Sequence, residues 1–427
     1  MTYSTMHSQR PQRLCMSSHV DNASLIVKGQ GIVIFDASNA CCLTFYDANK
    51  TTALKVRFVD TAVLVTMEPS NEPLIDTHNS KGLVASPGAY YWCSLDAQNQ
   101  TLHAGIGEAR KENLIYSYQL PPTSKQFLES LAIVNAQELH ITALLRDPVT
   151  GAVPLLIKNT DELTMDAIAA GTYMPSTNLS ATSQRLYNCI SGKQFVLNTP
   201  DFPDFTKAIE YSIATPGKWC HECLKQKATE FSKEKPNYDE TYLRITLGSN
   251  NGESPGIPYV MEIWPSGHFS PIHNHGGSSA IIRVLHGAIQ VSLFPYLGDK
   301  DVFPFARATF QTGDITWISP TLNQVHQLKN MDTKTTCITI QCYMYEQQDT
   351  AHYDYFDYLD ENYVPQQFEP NSDMDFVAFK KQIRKEWLEF KQGQQWLWSR
   401  VWSAAAKSRA WLSPSQTVHK VPSDNSK

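Results

Sequence analysis

No stretch of this chain approaches the roughly 18–20 consecutive apolar residues that a membrane-spanning helix requires, so the sequence predicts no such span. There is no block of Lys or Arg either. With 36 basic against 42 acidic residues the formal charge is −6, which leaves no electrostatic footprint for nucleic acid or an anionic membrane surface. Cysteine is sparse. Nine in 427 residues is far from a disulfide scaffold, and the sequence predicts reduced, mostly buried thiols in a cytoplasmic protein. The one C-x-x-C, Cys220 to Cys223, has no second pair to complete a four-ligand zinc site and no strand–helix context for redox work. The first twenty residues hold two arginines and no acid, but also no apolar stretch. They read as a disordered tail over 1–20 rather than a secretory signal, with a cleavable organelle transit peptide as the alternative. Internal repeats and low-complexity tracts are absent as well.

What is present is an ordinary globular composition, 42% hydrophobic and 11% aromatic, long enough for two or three folding units. Over 21–150, short alternating runs such as SLIVKGQGIVIF and ALKVRFVDTAVLVTME are broken by turn clusters such as DANKT and DPVTG, which predicts a β-rich, sandwich-like domain of unassigned role. A helical insertion is expected near Ser124–Gln137. Within this domain YYWCSLDAQNQTLHAGIG is similar to modules of farnesoic-acid-methyltransferase-like β-sandwich domains. Residues 151–235 read as a connecting and helical cap region, with Phe205, Ile209, Leu224 and Phe231 as apolar anchors. Strands return over 236–365, where many short β runs with glycine-bearing turns suggest a small closed barrel or jelly roll. After Pro370 the apolar positions Phe376, Phe379, Ile383, Trp387 and Phe390 recur every three or four residues, which predicts a helical extension over 366–427, capped by Asp373 or Asp375 and ending in a disordered tail.

The chemistry concentrates in GHFSPIHNHGGSSA, residues 267–280. On a strand, residues two apart face the same side, so His273 and His275 can both reach one ion. Glycines on either side let the backbone turn tightly. Further downstream, Gly313-Asp314, Pro320, His326 and Asn330 lie in strand-like sequence. Together the two stretches match the bipartite cupin pattern, so the expected fold is mainly β: a cupin (RmlC-like jelly-roll) β-barrel with flanking helices, preceded by the sandwich-like domain. The predicted metal ligands are His273, His275 and His326, leaving open coordination positions. His268 and His286 read as non-ligands. Cupins commonly supply a Glu shortly after H-x-H; here Ser279 and Ala280 stand there, and neither can coordinate. Three neutral imidazoles leave a divalent ion its full charge, which favours an anionic ligand such as a thiolate.

Over about residues 201–345 the sequence resembles the cysteine dioxygenase (thiol dioxygenase) family of the cupins. The resemblance is carried by the helical cap PDFTKAIEY, by Tyr242-Leu243-Arg244, by Trp264 through His275 (W-x-x-G-H-x-S-x-I-H-x-H), by G-D-I-T-W-I and by a closing Y-x-Y. It implies an oxidoreductase with Fe(II) that adds both atoms of O2 to a small thiol, L-cysteine first among candidates, giving a sulfinic acid. It also implies that Arg244 pairs with a substrate carboxylate and that Tyr343 is the active-site tyrosine. Tyr242, Trp264 and Gln341 would shape the substrate pocket. Two departures stand out. Ala280 replaces the cysteine that crosslinks to the tyrosine in animal-type members, so Tyr343 is expected to be an unmodified phenol. Gln341 occupies the position of the family's relay histidine; it can hydrogen-bond the phenol but cannot exchange a proton near neutral pH. Phe269 stands where the family usually has a small residue. The expected partners are a small thiol and dioxygen, with no nucleic acid and no membrane. Another cupin metalloenzyme, an isomerase or carbon–carbon-cleaving dioxygenase, and a non-catalytic cupin sensor are the alternatives.

Overall fold

The computed structural model of the chain describes residues 13–37, 39–59, 62–68, 72–74, 89–149, 151–249, 258–344 and 356–411. The N-terminal half is a sandwich of two six-stranded antiparallel sheets. Alternation explains it residue by residue. In Ala53–Val59, Leu54, Val56 and Phe58 are fully buried, while Lys55 and Arg57 point outward. Leu43 and Phe45 lie opposite Val56 and Leu54 on the neighbouring strand, so the same face is apolar on both. Phe35, Tyr91 and Phe58 come from both sheets and close the core at ring separations of 5.0–5.9 Å.

Two expectations change here. Residues 13–20, read as tail, form an edge strand, Arg13–Val20, paired with His140–Leu145; residues 1–12 and the C-terminal tail at 412–427 lie outside the described residues. The predicted helix at 124–137 is one short turn, Lys125–Ser130. It is followed by the strand Leu131–Gln137, because Leu131 and Val134 are buried in the sandwich core.

The C-terminal half is mainly β, with an eight-stranded sheet facing a three-stranded one. The large sheet runs through Ile315–Ile318, Ser279–His286, Cys337–Met344, Pro258–Trp264 and Leu243–Ser249. The small sheet holds Ala306–Gln311, Ala288–Leu293 and His326–Lys329. Among the described residues the two sheets do not join into a continuous hydrogen-bonded barrel, so the closed barrel anticipated from the strand pattern is an open two-layer jelly roll. The region 151–235 is more than a connector. Its short strands Leu156–Lys158 and Tyr173–Pro175 extend the large sheet, Leu156–Lys158 pairing with Ile315–Ile318. A hairpin, Phe356–Leu359 with Pro365–Phe368, lies beside His273, which bridges Tyr358.

Helices cover the outer face of the large sheet. Ser180 Oγ accepts the Ser183 amide at 3.2 Å and starts Ala181–Ile190. The C-terminal helix Phe376–Trp411 is capped by Asp375, whose Oδ1 accepts the Ala378 amide at 2.9 Å. Asp373, the other candidate, instead pairs with Lys227 at 3.1 Å. The helix docks through Phe379 and Ile383, both fully buried, with Phe379 edge-on to Phe205 and Trp219 at 6.0 and 5.4 Å. No helix among the described residues is long and apolar enough to cross a membrane. Phe379→Ala is expected to lower stability by about 3–5 kcal/mol by opening a cavity at this contact, read as a lower urea midpoint of the C-terminal half.

Candidate metal centre

His273 and His326 face each other across a two-residue bridge in which each amide donates to the other's carbonyl at 3.0 Å. This pairing puts their side chains on one face, and His275, two residues on, joins them. The chain then turns away at Gly276 and Gly277, whose positive φ values of 58° and 76° fit glycine. The ring nitrogens of the three histidines offer donors within 4.8 Å of one another, and all three side chains are buried. Among the described residues no Asp, Glu or Cys joins this cluster.

The tautomers follow from the backbone. Nδ1 of His273 lies 3.0 Å from the Pro271 carbonyl, and Nδ1 of His326 lies 3.1 Å from the Asn323 carbonyl. A carbonyl only accepts, so both Nδ1 atoms carry the proton and both Nε2 lone pairs face the cavity. The Nε2 atoms of His275 and His326 are 3.2 Å apart, the spacing of two donors about 2.1 Å from a shared ion. Burial drives the His273 pKa down to about 3 and that of His326 to about 4, and holds His275 well below its ordinary value, with neighbouring imidazoles adding to the shift in His273 and His275. Three neutral, converging nitrogens are what a divalent transition metal takes, so the residues fit a metal ion. His275 Nδ1 is buried without a hydrogen-bond partner, so this one ligand lacks the supporting contact that the other two have.

Beside the histidines lies a polar wall on the large sheet. Arg244 and Glu262 are opposite each other in register, and Arg244 Nη1 donates to Glu262 Oε1 at 3.0 Å. Gln341 Nε2 donates to the other oxygen of Glu262, and the Tyr343 hydroxyl donates to Gln341 Oε1. The chain Arg244–Glu262–Gln341–Tyr343 is therefore continuous, and the Tyr343 ring stacks against His275 at 5.6 Å. Burial raises the Glu262 carboxyl above the usual range, with Arg244 and Gln341 pulling it back. Burial, then Glu262, raises the Tyr343 phenol, which stays protonated. Tyr242 and Trp264 stack at 4.2 Å and, with Phe356 and Phe368, complete the lining of a narrow cavity.

The structure thus gathers His273, His275, His326, Arg244, Tyr242, Trp264, Gln341 and Tyr343 around one cavity. Arg244 already has a carboxylate partner in Glu262, which the sequence reading, with its arginine reserved for a substrate, did not include. Strand alternation from Trp264 back to Glu262 was the signal for it. Ala280 lies directly opposite Tyr343, and no sulfur is available there. His268 bonds the Thr241 carbonyl at 2.9 Å, and His286 lies 3.6 Å from Glu210, both away from the cluster. Phe269 packs against Lys329 outside the cavity. Burial pushes the Cys220 and Cys223 thiols up, against the thiolate that a metal or redox role requires. Tyr345, the end of the Y-x-Y, lies outside the described residues.

No protein-family model matches the chain, and no curated protein does. Solved structures similar to part of it include the cupin domain of Schizosaccharomyces pombe Cnp3, at 13% identity and TM-score 0.19, over 23% of this chain and 63% of that one. Another is the cupin_2 domain of an XRE family transcriptional regulator from Enterobacter cloacae, at 13% identity and TM-score 0.20, over 25% of this chain and 98% of that one. An oxalate oxidase in complex with the substrate analogue glycolate shares 14% identity at TM-score 0.20, over 31% of this chain and 56% of that one. The chain itself has a two-layer β fold in its C-terminal half that brings three histidines together in a cluster able to hold a metal ion.

His326→Ala is expected to reduce bound divalent metal from one equivalent to near none after dialysis, measured by elemental analysis. A second expectation concerns metal-free protein. The histidines are neutral when folded but titrate near 6.5 when unfolded, so the unfolded chain takes up protons first. Their contribution to stability is complete above pH 6.5 and is lost as pH falls through about 4 toward about 3. Thermal melts of the apoprotein should show Tm falling across that window, and His273→Phe should flatten the fall.

Proposed function

We propose that this protein is an iron(II)-dependent dioxygenase that converts a small zwitterionic thiol, L-cysteine foremost, to its sulfinic acid. The observation that carries the reading is the pairing of an all-imidazole cluster with a wall holding one buried positive and one buried negative group. When bound, iron(II) would supply the Lewis acidity that favours thiolate over thiol and the electrons that activate dioxygen. Both oxygen atoms end on sulfur, R–SH + O2 giving R–SO2H, so no outside reductant is needed.

The chain's own residues supply selection and orientation. A tail bearing only a carboxylate would meet Glu262, and a tail bearing only an ammonium would meet Arg244. A zwitterion satisfies both, with its carboxylate on the guanidinium donors that Glu262 and Tyr343 leave free and its ammonium toward Glu262. The Tyr343 hydroxyl, protonated and held by Gln341, gives its one O–H to the carboxamide and offers the site an acceptor oxygen. Phe356, Phe368, Leu328 and Ile282 exclude water around the histidines, so each polar contact acts in a low-dielectric setting. The Gln341 carboxamide cannot relay a proton, so Tyr343 is a phenol held in place rather than a link in a proton chain.

The test is oxygen uptake and product mass with iron-loaded protein and three thiols: L-cysteine, 3-mercaptopropionate and cysteamine. Sulfinate from L-cysteine in preference to the other two is expected. Absence of sulfinate from all three, with iron bound, removes the dioxygenase reading and leaves a cupin metal protein of other chemistry. Arg244→Ala should raise KM for L-cysteine by about 10- to 100-fold, the worth of a charge-assisted hydrogen bond. Glu262→Gln should narrow the preference for L-cysteine over 3-mercaptopropionate.

A further inference from the structure

The loop joining the strands Thr101–Ile106 and Leu114–Gln119 of the N-terminal sandwich reaches into the cupin half. Gly107 lies so close to Pro295 that a Cβ there would fall 2.1 Å from its carbonyl oxygen, and φ is +72°. The loop delivers two charged side chains, Glu108 and Arg110, with exposures of 0% and 1%. Glu108 accepts the backbone amides of Asn323 at 2.8 Å and Gln324 at 2.7 Å, one on each carboxylate oxygen. Arg110 Nη1 donates to the Asn323 side-chain oxygen at 2.8 Å and to Glu108 at 3.2 Å, and Nη2 donates to the Val153 carbonyl at 3.1 Å.

Both residues held in this way touch the metal centre. Asn323, left-handed at φ 63°, offers its carbonyl to His326 Nδ1 at 3.1 Å and so sets that ligand's tautomer and ring direction. Gln324 accepts the Gly277 amide at 3.1 Å and donates to the Ser278 carbonyl at 2.9 Å, in the turn that follows His275. One buried carboxylate from the sandwich therefore braces the segments of two of the three histidines. A buried ion pair is a weak source of net stability, because desolvation offsets its attraction. A non-glycine residue in the left-handed region persists only where its surroundings over-determine it. Four contacts fix Asn323: Glu108 on its amide, Arg110 on its side-chain oxygen, the Trp317 carbonyl on its side-chain nitrogen and His326 on its carbonyl.

We propose that Glu108 and Arg110 are positioning residues for the metal centre, so that the N-terminal sandwich is a working part of the site rather than an appended module. Supporting groups of this kind commonly carry about 10- to 100-fold in metal affinity when removed. The proposal rests on the three-histidine cluster and not on the dioxygenase reading, and its probe is Co(II) binding by the 427-residue chain, which requires no turnover.

Three variants separate positioning from general stability. Glu108→Gln keeps the shape but places an amide NH2 against a backbone N–H. Asn323→Gly keeps the left-handed backbone and its carbonyl but removes the Arg110 contact. Leu102→Ala opens the sandwich core without touching the loop. Expected for both Glu108→Gln and Asn323→Gly is Co(II) affinity weaker by about 10- to 100-fold with an altered visible absorption spectrum, while circular dichroism stays native. Leu102→Ala should lower Tm and leave Co(II) affinity and spectrum as in the wild type. Wild-type affinity and spectrum in a folded Glu108→Gln or Asn323→Gly protein would overturn the proposal, as would losses of affinity that track Tm equally in all three proteins. Should Glu108→Gln not fold, Asn323→Gly carries the same two outcomes.

Discussion

Three imidazoles can share a dry cavity only while none of them is charged. A single imidazolium there would be stripped of water with no counter-ion in the cluster, and the pKa values of His273, His275 and His326, depressed first by burial, express that penalty. Much of the C-terminal half follows from keeping these rings neutral and aimed. The reciprocal amide–carbonyl pair between His273 and His326 fixes the two backbones, and the carbonyls of Pro271 and Asn323 fix two tautomers. The hairpin bearing Phe356 and Phe368 closes over the cluster and removes the water that would relax the constraint.

The same dry environment shapes the polar wall. Arg244 alone in such a cavity would be an uncompensated charge, which costs far more than an exposed one. Glu262 compensates it from the adjacent strand, and the second Glu262 oxygen must then find its own donor, which Gln341 provides. Once Gln341 has given its NH2 to Glu262, its carbonyl oxygen is what remains to meet the Tyr343 hydroxyl. The glutamine is thus the residue whose donor and acceptor ends match a carboxylate on one side and a phenol on the other. A histidine there could do both only in one tautomer.

Local features were readable in the sequence and distant pairings were not. The period-two spacing of His273 and His275, the strand alternation around Leu54, and the helical recurrence of Phe379, Ile383 and Trp387 are properties of a few neighbouring residues. The last two appear in the structure as that periodicity requires, while His273 and His275 converge from a loop anchored by a single bridge at His273 rather than from a strand. Glu262 sits in an apolar run, and its meaning depends on Arg244, 18 residues away across a strand pair. The strands Leu156–Lys158 and Tyr173–Pro175 are three residues each, too short to show a period, and they exist because the edge at Ile315–Ile318 is there to pair with. The short helix at Lys125–Ser130 yields to a strand for the same kind of reason: burial in the sandwich outweighed local propensity.

The longest-range of these pairings changes how the two halves are understood. Glu108 and Asn323 are 215 residues apart in sequence, and nothing local to either suggests a partner. Read by itself, the sandwich is a domain with its own hydrophobic core. Its loop, however, places a carboxylate against two consecutive amides that no strand partner satisfies, in the segment immediately before a metal ligand. Buried amides without an acceptor cost about 1–3 kcal/mol each, so that segment would rearrange if the loop were withdrawn. Rearrangement would move the Asn323 carbonyl, and His326 would lose the contact that directs its free nitrogen into the cluster. The geometry of the metal centre is therefore a property of both halves together.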